Sequence, residues 1–399
     1  MKKLPLLLAS LLLLCACTVQ AGTPAAEMTA AGESLPSAPV TEAPAQEASA
    51  EAPAQEGSRM ELSYATQFTV DYNPDGTALI TVGGTDRFLL IPEGGTAPAD
   101  MAEDVTPLYQ PLGTLYVAAS GAMDLFLRLD ALGQVRMTST TLSNWALPEV
   151  CEALESGEMI YAGKYSAPDF ELLLSEHCAL AIENTMIYHS PDILEQIISL
   201  GIPAIVERSS YEPHPLGRVE WIKLYGLLLG KEAEAEAFFD EQLRLLDDLE
   251  TLPSEEVTVA YFHISTVGAA VVRKPGDYVS KMIEMAGGKY VFDQLPGQDE
   301  NSLSTMNMQM EAFYAGAKDA DVLIYNSTIA GELETVDQLL EKSSLLADFK
   351  AVQEGNVWCS EHDFYQKSGA AAAMIRELNL ILSGETEDAD ALEFFHPLK

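Results

Sequence analysis

From Leu4 to Ala16 the chain is apolar except for Pro5 and Ser10. From 18 to 58 there is no aromatic residue and only scattered aliphatic ones, among Ala, Pro, Glu, Ser and Thr. From Met60 onward the pattern becomes that of a folded body. Segments 61–71, 78–82 and 87–91 are β-rich, and Asn73-Pro74-Asp75-Gly76 marks a turn between the first two, so a β-meander is predicted. Short apolar strands then alternate with helical runs. Strands are predicted at 114–119, 159–161, 179–183 and 203–207, and helices at 121–132, 168–176 and 191–200. The last two strands lack a strict two-residue alternation, as expected where helices cover both faces of a parallel sheet.

A long helical region comes next, from Pro215 to Leu249. Gly230 interrupts it, which predicts two helices, 216–229 and 231–250, ended by Leu252-Pro253-Ser254. Strand–helix alternation then resumes. Strands are predicted at 256–264, 290–292, 322–325 and 356–359, with helices at 277–286, 309–317, 335–342 and 369–382. The halves echo each other: Glu171 precedes a strand that ends at Asn184, and Glu311 precedes one that ends at Asn326. The fold class is therefore α/β: two Rossmann-like lobes with parallel sheets, joined by a single long helix, with a cleft between them. Ligands of open parallel sheets bind beyond the carboxyl ends of the strands, so both asparagines are expected to face that cleft.

The apolar run at the start follows Lys2 and Lys3 and is too short to span a bilayer comfortably, which suits a signal peptide. Its end, Leu14-Cys15-Ala16-Cys17, resembles the bacterial lipobox. That resemblance implies that Cys17 becomes the first mature residue, carries acyl chains and anchors the protein to the cell membrane from the extracytoplasmic side. Residues 18–58 hold six Glu and no Lys, Arg or Asp, and repeat Ala-Pro-Ala-Gln-Glu at 43–47 and 52–56. Such a segment cannot bury enough apolar surface to fold and reads as an extended spacer.

Composition narrows the function. The 399 residues carry a formal charge of −39, which excludes a nucleic-acid binder and adsorption of the folded surface to anionic lipid. No GxSxG, P-loop, HExxH or GxGxxG pattern is present, so nothing encodes an activated nucleophile or a phosphate cradle, and no enzyme activity or cofactor is expected. There is no His-rich loop and no CxxC, and Cys359-Ser360-Glu361-His362 reads as a loop at the cleft rim, so no metal ligands are assigned. Met306, Met308 and Met310 do not share a helix face and read as gap-filling side chains. A Cys151–Cys178 bridge is left open.

With lipobox, spacer and two lobes in this order, the chain resembles the substrate-binding lipoproteins of ABC importers. The branch is the helix-linked one that binds ferric siderophores, haem or vitamin B12. The matching pieces lie over residues 110–385: Glu171 before 178–182, Leu200-Gly201-Ile202-Pro203, 228–235, 285–292, and Glu311 before 321–324. Ala118 to Ala122 stands where the family has its first strand-to-helix turn, and residues 60–105 fall outside the pattern. The resemblance implies a signal peptide at 1–17, a linker at 18–58, an N-terminal lobe at 59–229, a joining helix at 230–252, a C-terminal lobe at 253–385 and an acidic tail at 386–399. It further implies permease docking by Glu171 and Glu311, one per lobe, and a monomer with only modest closure on binding. A flat or bulky chelate needs stacking rings and a few cations or donors. The loops beyond the strands offer Tyr165, Asn184, Tyr188 and Arg208 in the N-terminal lobe, and Arg273, Asn326, Trp358 and Tyr365 in the C-terminal lobe. The competing reading is a surface lipoprotein for adhesion or protein interaction, with no small-molecule role.

Overall fold

The computed structural model describes residues 57–247, 249, 256–295, 305–386 and 391–399. The signal segment, Cys17 and most of the linker lie outside the described residues. Among the described residues no helix is long and apolar enough to cross a membrane.

The N-terminal lobe is built on five parallel strands in the order Ala204–Glu207, Cys178–Asn184, Thr114–Val117, Val135–Thr138, Ile160–Tyr161. Alternate side chains feed two different cores. Leu115, Val117, Leu180 and Ile182 join the large core under helix Pro215–Leu229, whereas Tyr116 and Ala181 pack against Leu173 and Ile197 on the opposite face. Burial of both faces explains why these strands show no polar alternation. Strand Val135–Thr138 and helix Pro148–Ser156 lie outside the sequence expectation. The strand is short and interrupted by Arg136, whose guanidinium is satisfied by Glu176 at 2.9 Å and by the carbonyls of Gly157 and Glu158.

The leading meander has four strands. Phe68–Tyr72, Ala78–Val82 and Asp86–Ile91 run antiparallel, and Val105–Tyr109 adds parallel to the third. The predicted turn forms, with Gly76 at φ +84°, a conformation that glycine adopts without a Cβ penalty. Phe68, Val70, Ile80 and Val82 enter the same core as helix Pro215–Leu229, and the Phe68 ring meets Trp221 edge-on at 5.1 Å. Between the linker and the first strand the backbone is held by two buried carboxylates. Glu220 accepts the N–H groups of Ser63, Tyr64 and Ala65 at 2.7–2.9 Å, and Glu212 accepts those of Thr66 and Gln67 as well as the indole N–H of Trp221. Charge-assisted bonds of this kind contribute about 1.5–3 kcal/mol each, so they fix a stretch that has no ladder of its own.

Helix Pro215–Leu229 is buried all round, and ends at Gly230 with φ +67°. The next helix, Glu232–Asp247, crosses it where a Cβ at Gly226 would fall 2.5 Å from that of Ala235, so Gly226 permits the approach. On its other side the same helix packs against Ala371–Ser383 of the C-terminal lobe. The expected break at Gly230 is therefore present; the end of the expected joining helix lies partly outside the described residues.

The C-terminal lobe has a mixed sheet in the order Thr305–Met308, Ala270–Arg273, Val257–Ile264, Val322–Tyr325, Val357–Ser360, Phe395–Pro397, with Gly288–Tyr290 beside the first half of Val257–Ile264. The centre is parallel and the outer strands antiparallel. Two expectations meet the structure here. Met306 and Met308 lie in an edge strand that the sequence did not predict, and from there they pack with Met310 against the C-terminal core, as their gap-filling reading expected. The end of the expected acidic tail is part of the lobe: Phe394, Phe395 and Leu398 are buried, and Phe395–Pro397 pairs with Val357–Ser360. The cysteines Cys151, Cys178 and Cys359 are free thiols, so the bridge left open between the first two is absent.

Candidate ligand cleft

The site is built from the loops beyond the carboxyl ends of the parallel strands. In the N-terminal lobe, Asn184 closes its strand and opens the short 3-10 turn Thr185–His189. Its Oδ1 accepts the Met186 N–H at 3.0 Å and its Nδ2 donates to the Ala118 carbonyl at 3.1 Å. Asn326, 1% exposed, has the same role in the other lobe, accepting from the N–H and hydroxyl of Thr328 at 3.2 and 2.7 Å. The echo between the lobes is thus a shared helix-capping device. Both asparagines position loops; Asn326 is buried in doing so, whereas Asn184 stays half-exposed.

Those loops expose apolar side chains. Met186 and Tyr188 are exposed on the N-terminal side, and Ile329 is 68% exposed on the C-terminal side. Arg208 follows strand Ala204–Glu207 and lies among rings: its Cζ is 4.9 Å from the Tyr211 centroid and 5.9 Å from that of Tyr188. It donates from Nη1 to the Tyr188 hydroxyl at 3.0 Å and from Nε to Gln67 Oε1 at 3.1 Å. Tyr188 and Tyr211 are 41% and 43% exposed, so this is a cation framed by accessible aromatic faces. Gln67 comes from the meander, where the Gly83 N–H holds its carbonyl at 2.8 Å, and a Cβ at Gly83 would lie 3.1 Å from the guanidinium. Residues 60–105, outside the sequence pattern, thereby shape the Arg208 site. Sequence reasoning missed Gln67 and Gly83 for this reason: their contact with Arg208 is made by tertiary packing, whereas Tyr211 lies in the same strand-end loop as Arg208.

The remaining expected residues are placed differently. Tyr165 is half-buried against the smaller N-terminal core. Trp358 is 6% exposed within strand Val357–Ser360, and its indole N–H donates to Asn356 Oδ1 at 2.9 Å; it is a core residue and the stacking expectation is corrected. Arg273 is 12% exposed, 3.6 Å from Asp277 Oδ2 and over the rings of Tyr261 and Tyr278, so most of its guanidinium is engaged within the lobe. Burial pushes the Asp277 carboxyl up, and the Arg273 guanidinium opposes that shift. Tyr365 is partly exposed and lines a void of about 10 Å³ together with Arg218, Tyr278 and Met374, where the lobes meet.

Around that void the lobes are tied. Gln366 accepts the Ala146 N–H at 3.0 Å and donates to the Asn144 carbonyl at 2.8 Å; the Gly369 N–H donates to Asp124 Oδ2 at 2.8 Å. A cavity of about 740 Å³ lies elsewhere, between the meander strand Val105–Tyr109 and the edge strand Ala204–Glu207. Glu171 and Glu311 stand exposed in the first turns of Phe170–Ser175 and Met310–Ala317. Neither makes an ion pair among the described residues.

Two lobes with parallel sheets, and polar and aromatic loops at the strand ends, define a solute-binding protein. The periplasmic binding protein family model matches residues 129–359, more than half of the chain, and the chain belongs to that family. An uncharacterized lipoprotein of Methanocaldococcus jannaschii is 28% identical over 227 residues, 56% of this chain and 52% of that protein. A second one from the same organism is 24% identical over 301 residues, 73% and 71% of the two chains. The chain thus spans about half the length of the first of these relatives. Among solved structures, a periplasmic binding protein from Veillonella parvula has a TM-score of 0.58 at 16% identity, covering 77% of this chain and 98% of that one. A periplasmic haem-binding protein of Vibrio cholerae has a TM-score of 0.54 at 18% identity, covering 67% and 98%. These likenesses concern the fold, and they agree with the two-lobed α/β class expected from the sequence.

Proposed function

We propose that this chain is the solute-capturing lipoprotein of an ABC importer, held outside the cytoplasm by lipid on Cys17. It takes a ferric siderophore, haem or corrinoid into the cleft between the lobes and delivers it to a permease that recognises Glu171 and Glu311. Helix Glu232–Asp247, which rests on helices of both lobes, serves as the bridge between them. The observation that carries the reading is Arg208 between Tyr188 and Tyr211. An accessible guanidinium flanked by ring faces suits a flat ligand with carboxylate or other anionic substituents, because Arg pairs bidentately with oxyanions while the rings stack. In a chain of charge −39, a cation at a strand tip is a selective attraction for an anion.

The test is titration of the full-length protein in detergent with haemin, ferric hydroxamate and catecholate chelates, and cobinamide, read by tryptophan fluorescence and visible absorption. One of these is expected to bind saturably, and Arg208→Ala to weaken it at least tenfold. Binding of none of them would overturn the reading in favour of a protein-interaction lipoprotein.

A further inference from the structure

Beyond the aromatic loops, one group of side chains at the cleft-side end of the C-terminal sheet has a composition that the chelate reading does not use. Glu332 follows strand Val322–Tyr325 and its short helix Ser327–Ala330; Glu361 and His362 directly follow the neighbouring strand Val357–Ser360. One potential ligand atom from each of the three lies within 4.8 Å of the other two. His362 Nδ1 is 2.8 Å from Glu332 Oε1, and the His362 backbone N–H donates to that same oxygen at 2.8 Å.

An independent feature holds this arrangement from behind. His396, on the closing strand Phe395–Pro397, has Nδ1 at 2.6 Å from Glu361 Oε1 and Nε2 at 2.8 Å from the Leu333 carbonyl. One imidazole outside the trio therefore fixes both loops that supply it, orienting one carboxylate and pinning the residue beside the other. Outer-shell hydrogen bonds of this type orient metal ligands. The Glu361 N–H also donates to the Phe394 carbonyl at 3.0 Å, so the loop is anchored to the sheet edge by its backbone as well.

The geometry points to a divalent transition-metal site formed by Glu332, Glu361 and His362, with open coordination positions facing solvent. One imidazole and two carboxylates suit zinc, iron(II), cobalt(II) or manganese, and lack the thiolate or thioether that selects copper(I). Metal–ligand distances of about 2.0–2.2 Å separate neighbouring ligands by roughly 3.3 Å, so the 2.8 Å His362–Glu332 contact opens by about half an ångström when an ion replaces it. The charge balance also favours a cation. Two carboxylates converge there, each facing one imidazole, Glu332 with His362 and Glu361 with His396, in a protein already strongly acidic. Three protein ligands on a partly exposed rim leave positions for water or for a donor atom from outside.

The site belongs wholly to one lobe, and its test contains no chelate, so its failure and that of the cleft reading are distinguishable. Full-length protein in detergent is stripped with EDTA, dialysed and titrated with cobalt(II), whose visible absorption reports nitrogen and oxygen coordination, and with zinc by calorimetry. One equivalent per chain is expected to bind. His362→Ala and Glu361→Gln are each expected to weaken binding at least tenfold, with unchanged thermal melting in the absence of metal as the control for folding. If melting shifts, Glu332→Gln, at an exposed position outside any strand, provides the second variant. Absence of saturable binding at about 100 µM metal, or affinity unchanged in His362→Ala and Glu332→Gln, would overturn the assignment.

Discussion

The guanidinium of Arg218, on the buried helix of the N-terminal lobe, lies 3.9 Å from the centroid of the Tyr278 ring, which opens a helix of the C-terminal lobe. With Gln366 and Gly369 reaching Asn144, Ala146 and Asp124, this contact makes the floor of the cleft a jointed but well-tied surface. Desolvated cation–π contacts contribute about 2 kcal/mol. Tyr278→Leu, which keeps apolar bulk and removes the aromatic face, is expected to lower stability by about 1–2 kcal/mol in urea unfolding. It should also speed amide exchange on both sides of the joint, along 278–285 in the C-terminal lobe and 215–222 in the N-terminal lobe. Exchange confined to one of the two lobes would contradict a shared joint.

The same ties bear on closure. Solution scattering with and without a bound ligand is expected to show only a small change in radius of gyration in the wild type. Gln366→Ala removes two lobe-to-lobe hydrogen bonds without touching Arg208, and the ligand-dependent change should then grow. A large compaction in the wild type would show that the polar ties open readily.

Glu212 and Glu220 are buried, and between them they collect the backbone N–H groups of residues 63–67. Removing the Glu212 acceptor leaves the buried Trp221 indole N–H, and the partly buried N–H groups of Thr66 and Gln67, without their partner, at about 1–3 kcal/mol each. Glu212→Ala is expected to destabilise by about 3–5 kcal/mol and to open residues 60–67 to limited proteolysis. Because Gln67 holds Arg208, it should also weaken cleft binding, although Glu212 lies behind the aromatic loops. Intact cleft affinity in a folded Glu212→Ala protein would break that link.

These cases show where the sequence was readable. Paired alternation of apolar strands with helices announced both lobes, because strands buried on two faces and helices ended by glycine leave local marks, as at Gly230. Strands 270–273, 305–308 and 395–397 left none. They are three or four residues long, and Pro397 and the interspersed polar residues suppress the β signal, so only pairing with a neighbour makes them strands. The candidate site was legible where its chemistry was sequential: Tyr188 and Arg208, expected in loops beyond strands, do meet. It was not legible for Trp358, which a strand of four buried residues carries into the core, nor for Gln67, Gly83 and His396, whose partners are distant in the chain.

Glu171 and Glu311 stand in the first turns of their helices, where the helix dipole already favours a carboxylate. Stability alone would therefore account for either one. A docking role makes a sharper demand: Glu171→Ala with Glu311→Ala should abolish uptake in whole cells while leaving ligand affinity and thermal melting within experimental error. A parallel loss of affinity would mean that the pair supports the lobes rather than the permease.

Glu183 supplies a pH dependence of definite sign. It lies in strand Cys178–Asn184 and is fully buried, and neither carboxylate oxygen has a hydrogen-bond partner among the described residues. Burial pushes its carboxyl up from 4.5 to about 8. The folded protein therefore holds the proton more tightly than the unfolded chain. Its contribution to stability is full below pH 4.5 and is lost as pH rises through about 8. Within that window the slope for one such group approaches about 1.4 kcal/mol per pH unit, less where water reaches the carboxylate. Asp124, Glu207, Asp277 and Glu377 are also shifted upward by burial, so the wild-type slope alone does not isolate Glu183. The difference from Glu183→Gln does. Urea unfolding at about pH 5, 6.5 and 8 is expected to show the variant gaining on the wild type by roughly 2 kcal/mol or more across the series. Parallel curves at all three pH values would mean that the carboxyl finds a partner or solvent in the folded protein and titrates as it does in the unfolded chain.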